Sequence, residues 1–261
     1  MSLGYLFGLI GLFLAGIIAG SINAVAGGGT LISFPSLVGL GEPEIIANAT
    51  NTAALWPGSF SSAIAYWKDT AVDRGLLIAL LIPSFIGGGL GAIILVITPP
   101  DLFKIVVPFL VLFATVILAA RDVLTRKIGE RLAATQEHRT LAGRIWGFFF
   151  QLFVATYGGY FGAGMGILML GSLSIMGMQD LHKMNALKTP LATVINVTAF
   201  VFFALKGFVN WPTAAILCVG AIAGGYGGAR LAKRVNPKLL NTCVVALGFI
   251  VSAWLVYKAF F

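Results

Sequence analysis

Two short stretches carry the polar side chains able to do chemistry in an otherwise apolar chain: Ala47-Asn48-Ala49-Thr50-Asn51-Thr52 and Asn185-Ala186-Leu187-Lys188-Thr189. Side chains three positions apart share a helical face, so Asn48 with Asn51, and Asn185 with Lys188, each form a polar edge. Amides and an ammonium donate hydrogen bonds, and a fixed cation strengthens such bonds to an oxyanion. Binding of a small anion is the chemistry these residues support. Lys188 is the sharpest signal, because a lysine at the centre of a membrane helix costs about 2.5 to 3.5 kcal/mol on insertion. The alternative use of such a lysine is structural, with its stem running along the helix to bring the charge to the interface near His182 and Lys183.

Glycines cluster upstream of each edge, with Gly27, Gly28 and Gly29 before the first and Gly162, Gly164 and Gly166 before the second. Closely spaced glycines weaken a helix by up to about 1 kcal/mol each. Backbone groups freed from a helix are excluded from lipid, so such breaks belong where they are buried or line a water-filled cavity. The N–H groups that open a half-helix also attract anions. Breaks and polar edges together are expected to enclose one anion cavity. Neither break is a phosphate loop, since Gly162-Ala163-Gly164-Met165-Gly166 lacks a following Lys-Ser/Thr and no strand–helix unit surrounds it. Gly87, Gly88, Gly89 and Gly91, with Gly224, Gly225, Gly227 and Gly228, read instead as helix-packing surfaces.

The elements that must hold these residues are membrane helices. Of the 261 residues, 59% are hydrophobic and 10% charged, against roughly 25% charged in an ordinary soluble domain. Apolar runs recur at Tyr5 to Val25, Ile45 to Trp67, Gly75 to Ile97, Leu102 to Ala120, Arg144 to Phe161, Leu181 to Leu205, Thr213 to Leu231 and Leu239 to Tyr257. Each is long enough to cross a hydrocarbon layer about 30 Å thick. Cys218 and Cys243 fall inside such runs without metal spacing and read as small buried hydrophobes. Ala24-Val25-Ala26 resembles a signal-peptidase site, but no basic residue precedes the apolar run and the segment has a counterpart in mid-chain, so cleavage is not expected.

An internal repeat appears at an offset of 136 to 137 residues. Ser36 falls on Ser172, Gly41 on Gly177, Asn48-Ala49 on Asn185-Ala186, Thr52 on Thr189, Gly91-Ala92 on Gly228-Ala229 and Pro100 on Pro237. An apolar bias alone would not align Asn, Pro and Gly together. The expected organisation is a first membrane repeat over 1–120, a basic connector over 121–143 and a second repeat over 144–261. Arg121, Arg126, Lys127, Arg131, Arg139 and Arg144 place the connector in the cytoplasm, and Arg230, Lys233, Arg234 and Lys238 demand the same side. Only an even number of crossings satisfies both, so segments 29–41 and 164–179 are expected to cross as short or broken helices. The expected fold is an all-α polytopic membrane protein of two inverted repeats, about five crossings each, with both termini outside. The net charge of +8 therefore belongs to connectors and needs no nucleic acid as partner.

Other chemistries have weaker support. Gly58-Ser59 and His182 are the nearest approach to a nucleophile and base, and nothing in the sequence orients them, so an intramembrane enzyme is disfavoured. No Cys/His cluster or H-E-x-x-H points to a metal, and no cofactor is expected. Carboxylates lie at the ends of spans rather than within them, which leaves no evident proton-coupling group. Inverted repeats with discontinuous helices are a recurring plan of secondary transporters. A channel-like anion pathway is the competing reading.

The glycine-rich breaks, the Asn-Ala-Thr-Asn-Thr and Asn-Ala-Leu-Lys-Thr stretches and the basic mid-chain connector together resemble the TauE/SafE family, the sulfite exporters and related sulfonate permeases. Gly27, Gly28, Gly29 and Pro35 match its first-half signature, and Gly162, Gly164 and Gly166 its second. The second signature in the family often resembles G-x-G-G-G followed by proline, where this chain has Met165 and Gly171. The resemblance implies a multi-pass carrier of the bacterial inner membrane that moves small sulfur oxyanions such as sulfite or sulfoacetate, usually outward. Asn48, Asn51, Asn185 and Lys188 come from the repeat and the electrostatics alone.

Overall fold

The computed structural model describes residues 3–69, 72–120, 141–176, 178, 180–232 and 237–260. The basic connector lies outside the described residues as far as position 140, as do Gly177, Lys233 and Arg234. The described residues form ten α-helices: α1 (Leu3–Val25), α2 (Thr30–Gly39), α3 (Glu44–Asp69), α4 (Arg74–Ile97), α5 (Pro100–Ala119), α6 (Leu141–Tyr160), α7 (Met165–Ile175), α8 (Leu181–Leu205), α9 (Trp211–Leu231) and α10 (Pro237–Phe260).

Local signals set the boundaries. Asp73 caps α4 by accepting from the Leu76 N–H, and Asp180 caps α8 by accepting from His182 and Lys183. The backbone N–H groups of Lys183 and His182 hold the Asp180 carboxyl below its ordinary range. Pro100 and Pro237, equivalent in the repeat, each open a helix where no N–H is needed.

Among the described residues, six helices are long and apolar enough to cross a membrane: Phe7–Val25, Arg74–Ile97, Pro100–Ala119, Leu181–Leu205, Trp211–Leu231 and Thr242–Phe260. Among the eight apolar runs, those of α3 and α6 fall short of that measure. In α3 the reason is a row of buried polar side chains that includes Asn48, Thr50, Asn51, Thr52, Ser59 and Ser62. The outer surface is apolar, with Ile78, Phe85, Phe109, Phe153 and Ile250 exposed, as lipid contact requires. Cys243 is also exposed and Cys218 half-buried, contrary to the expectation for both. Cys243 lies on α10, which packs mainly on α5 and so leaves much of its surface uncovered.

Glycines govern how the helices meet. The pairs α1 with α9, α3 with α9, α4 with α6, α3 with α8, α4 with α8 and α5 with α10 hold the bundle together. Gly16 and Gly20 lie against the Leu217 and Ala221 carbonyls, Gly224 against that of Ile17, Gly87 against Leu152 and Ala155, and Gly91 against Thr156. No side chain larger than hydrogen fits at these points, so the backbones come close and dispersion replaces the hydrophobic drive that lipid removes.

Contacts also fix the direction of each helix. Trp56 packs on Phe200 and Tyr66 on His182, so α3 and α8 are antiparallel. Gly8 near the start of α1 faces Leu40 beyond α2, and Gly147 near the start of α6 faces Met176 beyond α7. Thus α2 returns toward the end where α1 begins, and α7 toward the end where α6 begins. Glu42, Glu44, Asn210 and Lys258 gather at one end of the bundle, and Tyr66, Asp73, Asp180 and Arg230 at the other.

Candidate functional site

Helix α1 closes with Gly27 at φ +84°, which no side-chain-bearing residue adopts readily, and the N–H groups of Ala26 and Gly27 both return to the Ile22 carbonyl. The last carbonyls of a helix have no partner within it, and α8 supplies them. Lys188 Nζ donates to the Asn23 and Ala24 carbonyls at 3.2 Å each, and Asn185 Nδ2 to the Val25 carbonyl at 3.5 Å. Lys188 is 2% exposed, so its ammonium is buried between α8 and the end of α1. A cation at a helix C-terminus is favoured by the macrodipole, whose partial charge there is about −0.5.

The end of α6 repeats this arrangement. Gly162 takes φ +79°, and the N–H groups of Phe161 and Gly162 both return to the Tyr157 carbonyl. Asn48 Nδ2, from α3, donates to the Tyr160 carbonyl at 2.9 Å. In both asparagines the Oδ1 is buried without a hydrogen-bond partner. Thus α3 reaches the end of α6, and α8 the end of α1.

Asn51, the repeat counterpart of Lys188, does something different. Its Oδ1 accepts from Ser33 Oγ and its Nδ2 donates to Thr30 Oγ1 at 3.3 Å. Both hydroxyls belong to the first turn of α2, whose cap Gly29 has no side chain to offer. Gly164, at φ +72°, likewise caps α7 without a side chain.

Two of the expected glycines, Gly27 and Gly166, meet one another. A Cβ on Gly27 would stand 2.5 Å from the Gly166 Cα, and one on Gly166 2.5 Å from the Gly27 Cα. Gly28 faces Leu118 and Val244, Gly29 the Ala19 carbonyl and Gly164 the backbone of Ala114, while near Gly162 only the Gly158 carbonyl is close. All ten expected residues are therefore in the interior or at the junctions, but they do not converge on one point. Asn185 follows His182 by three positions and so lies level with about residue 63 of α3, some 15 residues or about 22 Å along the bundle from Asn48. Asn185 and Lys188 form one polar group, Asn48 and Asn51 another, and the Gly27–Gly166 contact lies between. Of the enzyme candidates, Ser59 accepts from Asn23 Nδ2 and His182 packs on Tyr66; no hydrogen bond joins them among the described residues.

Glu42 is the residue that sequence reasoning missed. Gly41, at φ +92°, ends the turn after α2, and the Glu42 N–H returns to the Leu37 carbonyl, which aims the side chain inward. Glu42 is 7% exposed, and Thr213 Oγ1 donates to its Oε1 at 2.6 Å. Burial pushes its carboxyl above the ordinary 4.5, opposed by the Thr213 hydrogen bond and by the neighbouring polar groups of Thr50 and Asn210. Its neighbours Gly41 and Pro43 marked a surface turn, and no local pattern distinguished an inward from an outward carboxylate.

The family model described as sulfite exporter TauE/SafE matches residues 12–255 of the chain. A probable membrane transporter protein of Haemophilus influenzae is 29% identical over 247 residues, covering 94% of this chain and 93% of that protein. The probable membrane transporter protein YfcA of Escherichia coli strain K12 is 29% identical over 95% of this chain and 89% of its own length. YunE of Bacillus subtilis, also termed a probable membrane transporter protein, is 24% identical over 96% and 98%. No solved structure matches. The chain belongs to the TauE/SafE family.

Proposed function

From that membership, we propose that the protein is a secondary transporter that exports a small sulfur-containing oxyanion, sulfite or an organosulfonate such as sulfoacetate, across the bacterial inner membrane. The observation that carries the proposal is the buried Lys188 ammonium beside Asn185 at the broken end of α1. The ammonium is held away from water, where a charge-assisted hydrogen bond to an oxyanion gains most.

In this reading residues 1–120 and 144–261 are inverted repeats of five crossings, with α1 equivalent to α6 and so on to α5 and α10. Helix pairing supports it: α1 packs on α9 as α6 on α4, and α3 on α9 as α8 on α4, while α3 with α8 and α5 with α10 pair across the proposed axis. Lys68, Arg74, Lys183 and Arg230, with the basic connector 121–143, belong to the cytoplasmic end, and Glu42 and Glu44 to the exterior with both termini. The anion passes between the Asn185/Lys188 group and the Asn48/Asn51 group, and the contact of Gly27 with Gly166 separates them. Shifts of one repeat against the other expose each group in turn.

Sulfite flux into proteoliposomes tests this directly, comparing wild type with Lys188→Ala at equal reconstitution. Saturable flux with counterflow in wild type, lowered about tenfold or more in the variant, is the expected result. Equal flux in both would reduce Lys188 to a holder of the α1 end, and flux without saturation or counterflow would indicate a channel.

A further inference from the structure

Among the described residues, two charged side chains are buried, Lys188 and Glu42. The first rests on helix carbonyls, whereas the second has no such support. Glu42 Oε2 is buried without a hydrogen-bond partner, and only Oε1 is satisfied, by Thr213. Among the described residues no cation pairs with it. On the neighbouring elements, Lys258 of α10 is engaged with Glu44 at 2.9 Å, and Lys206 at the end of α8, with Asp101 and Lys104 of α5, is exposed. The groups that do reach it, Thr213 and Asn210 of α9 and Thr50 of α3, are neutral.

A buried carboxylate without a cation is most simply neutralised by a proton. Its position gives that proton a consequence. Glu42 lies in the α2–α3 turn, whereas Asn210 and Thr213 begin α9, and the Asn210 N–H also donates to Thr50 Oγ1 at 3.0 Å. The cluster therefore ties the first repeat to the second at the end proposed as exterior. That end cannot open without separating it.

We propose that Glu42 is a proton-binding latch: the protonated carboxyl holds the α2–α3 turn against the start of α9, and the ionised carboxylate, once hydrated, releases it. The proton comes from exterior water on closing and returns there on opening. Protonation favours the buried, closed arrangement, so rising exterior pH favours opening. Each unit by which the two arrangements differ in Glu42 acidity is about tenfold in that equilibrium.

The latch has a test that needs no anion. Thermal unfolding of the purified protein is followed against pH for wild type and Glu42→Gln. A carboxyl whose folded value is raised adds stability below its ordinary value, here 4.5, and loses it as pH rises through the raised folded value. Wild type should lose melting temperature across that window relative to the glutamine variant. Taking the difference removes the contributions of Glu44, Asp101, Asp180 and His182. Identical profiles would overturn the proton site.

The second arm rests on the transport reading and measures sulfite flux against exterior pH. Wild-type flux should rise about tenfold with pH, and Glu42→Gln should be slow and flat. A glutamine variant that keeps the wild-type pH dependence would overturn the latch. If the thermal difference appears and wild type moves no sulfite, the proton site stands and the choice of anion has failed.

Discussion

Helices α3 and α8 carry the same first residue, Asn48 and Asn185, and a different second one, Asn51 and Lys188. Asn48 and Asn185 do equivalent work, donating to the last carbonyl of α6 and of α1 respectively, and each keeping a buried Oδ1 without a partner. One turn further on, Asn51 meets the first turn of α2 and Lys188 the last carbonyls of α1. The macrodipole accounts for the choice of residue. A helix N-terminus carries about half a positive charge and repels a lysine, and a C-terminus carries the opposite and welcomes one. An amide stands at the positive end and an ammonium at the negative end, so α3 and α8 share a pattern but only α8 presents a cation.

The largest expected effect comes from the glycines that close α1 and α6. Gly27 and Gly162 share a left-handed backbone, but only Gly27 has the backbone of another helix against it, Gly162 having only the Gly158 carbonyl of its own helix at 3.1 Å. Gly27→Ala should destabilise by about 2 to 4 kcal/mol, from conformational strain of about 1 to 2 plus overpacking against Gly166. Gly162→Ala should show the strain alone, about 1 to 2 kcal/mol. Chemical denaturation in detergent gives both values, and equal losses would mean that the Gly27–Gly166 contact has slack.

Next comes the divergent pair. Lys188→Ala leaves buried carbonyls without a donor, at about 1 to 3 kcal/mol, whereas Asn51→Ala removes weaker neutral bonds worth about 1 kcal/mol. The sharper variant moves the charge: Lys188→Asn combined with Asn51→Lys should not recover flux, because the new ammonium faces the positive end of α2. Recovery would show that the site needs a cation but not its helix terminus. The smallest effect tests the shared position. Asn48→Ala and Asn185→Ala should cost the same, about 1 kcal/mol each, and a clear inequality in unfolding would break the equivalence of the two ends.

Much of the frame was legible because lipid imposes a simple code. An apolar run read as Leu181 to Leu205 is a helix with those bounds, and Gly75 to Ile97 differs from α4 by one residue. Short helices at Thr30–Gly39 and Met165–Ile175 fall within the segments 29–41 and 164–179. Partners were not legible. Lys188 and the Ala24 carbonyl are 164 positions apart, and periodicity along one helix says which face is polar but not what it meets. The separation of the two polar groups was hidden for the same reason: antiparallel helices place such residues toward opposite ends. Glu42 was hidden because a charged residue between Gly41 and Pro43 has the composition of any surface turn.

Contact between Gly27 and Gly166 is made by backbone alone, and that bears on time. A barrier built from side chains opens when a rotamer flips, within picoseconds to nanoseconds. Two glycines have no rotamer to flip, so parting them requires whole helices to move, which takes microseconds to milliseconds. If the proposed passage runs through this contact, its turnover is at most about 10³ to 10⁶ per second, set by the stiffness of the bundle rather than by the diffusion of the ion.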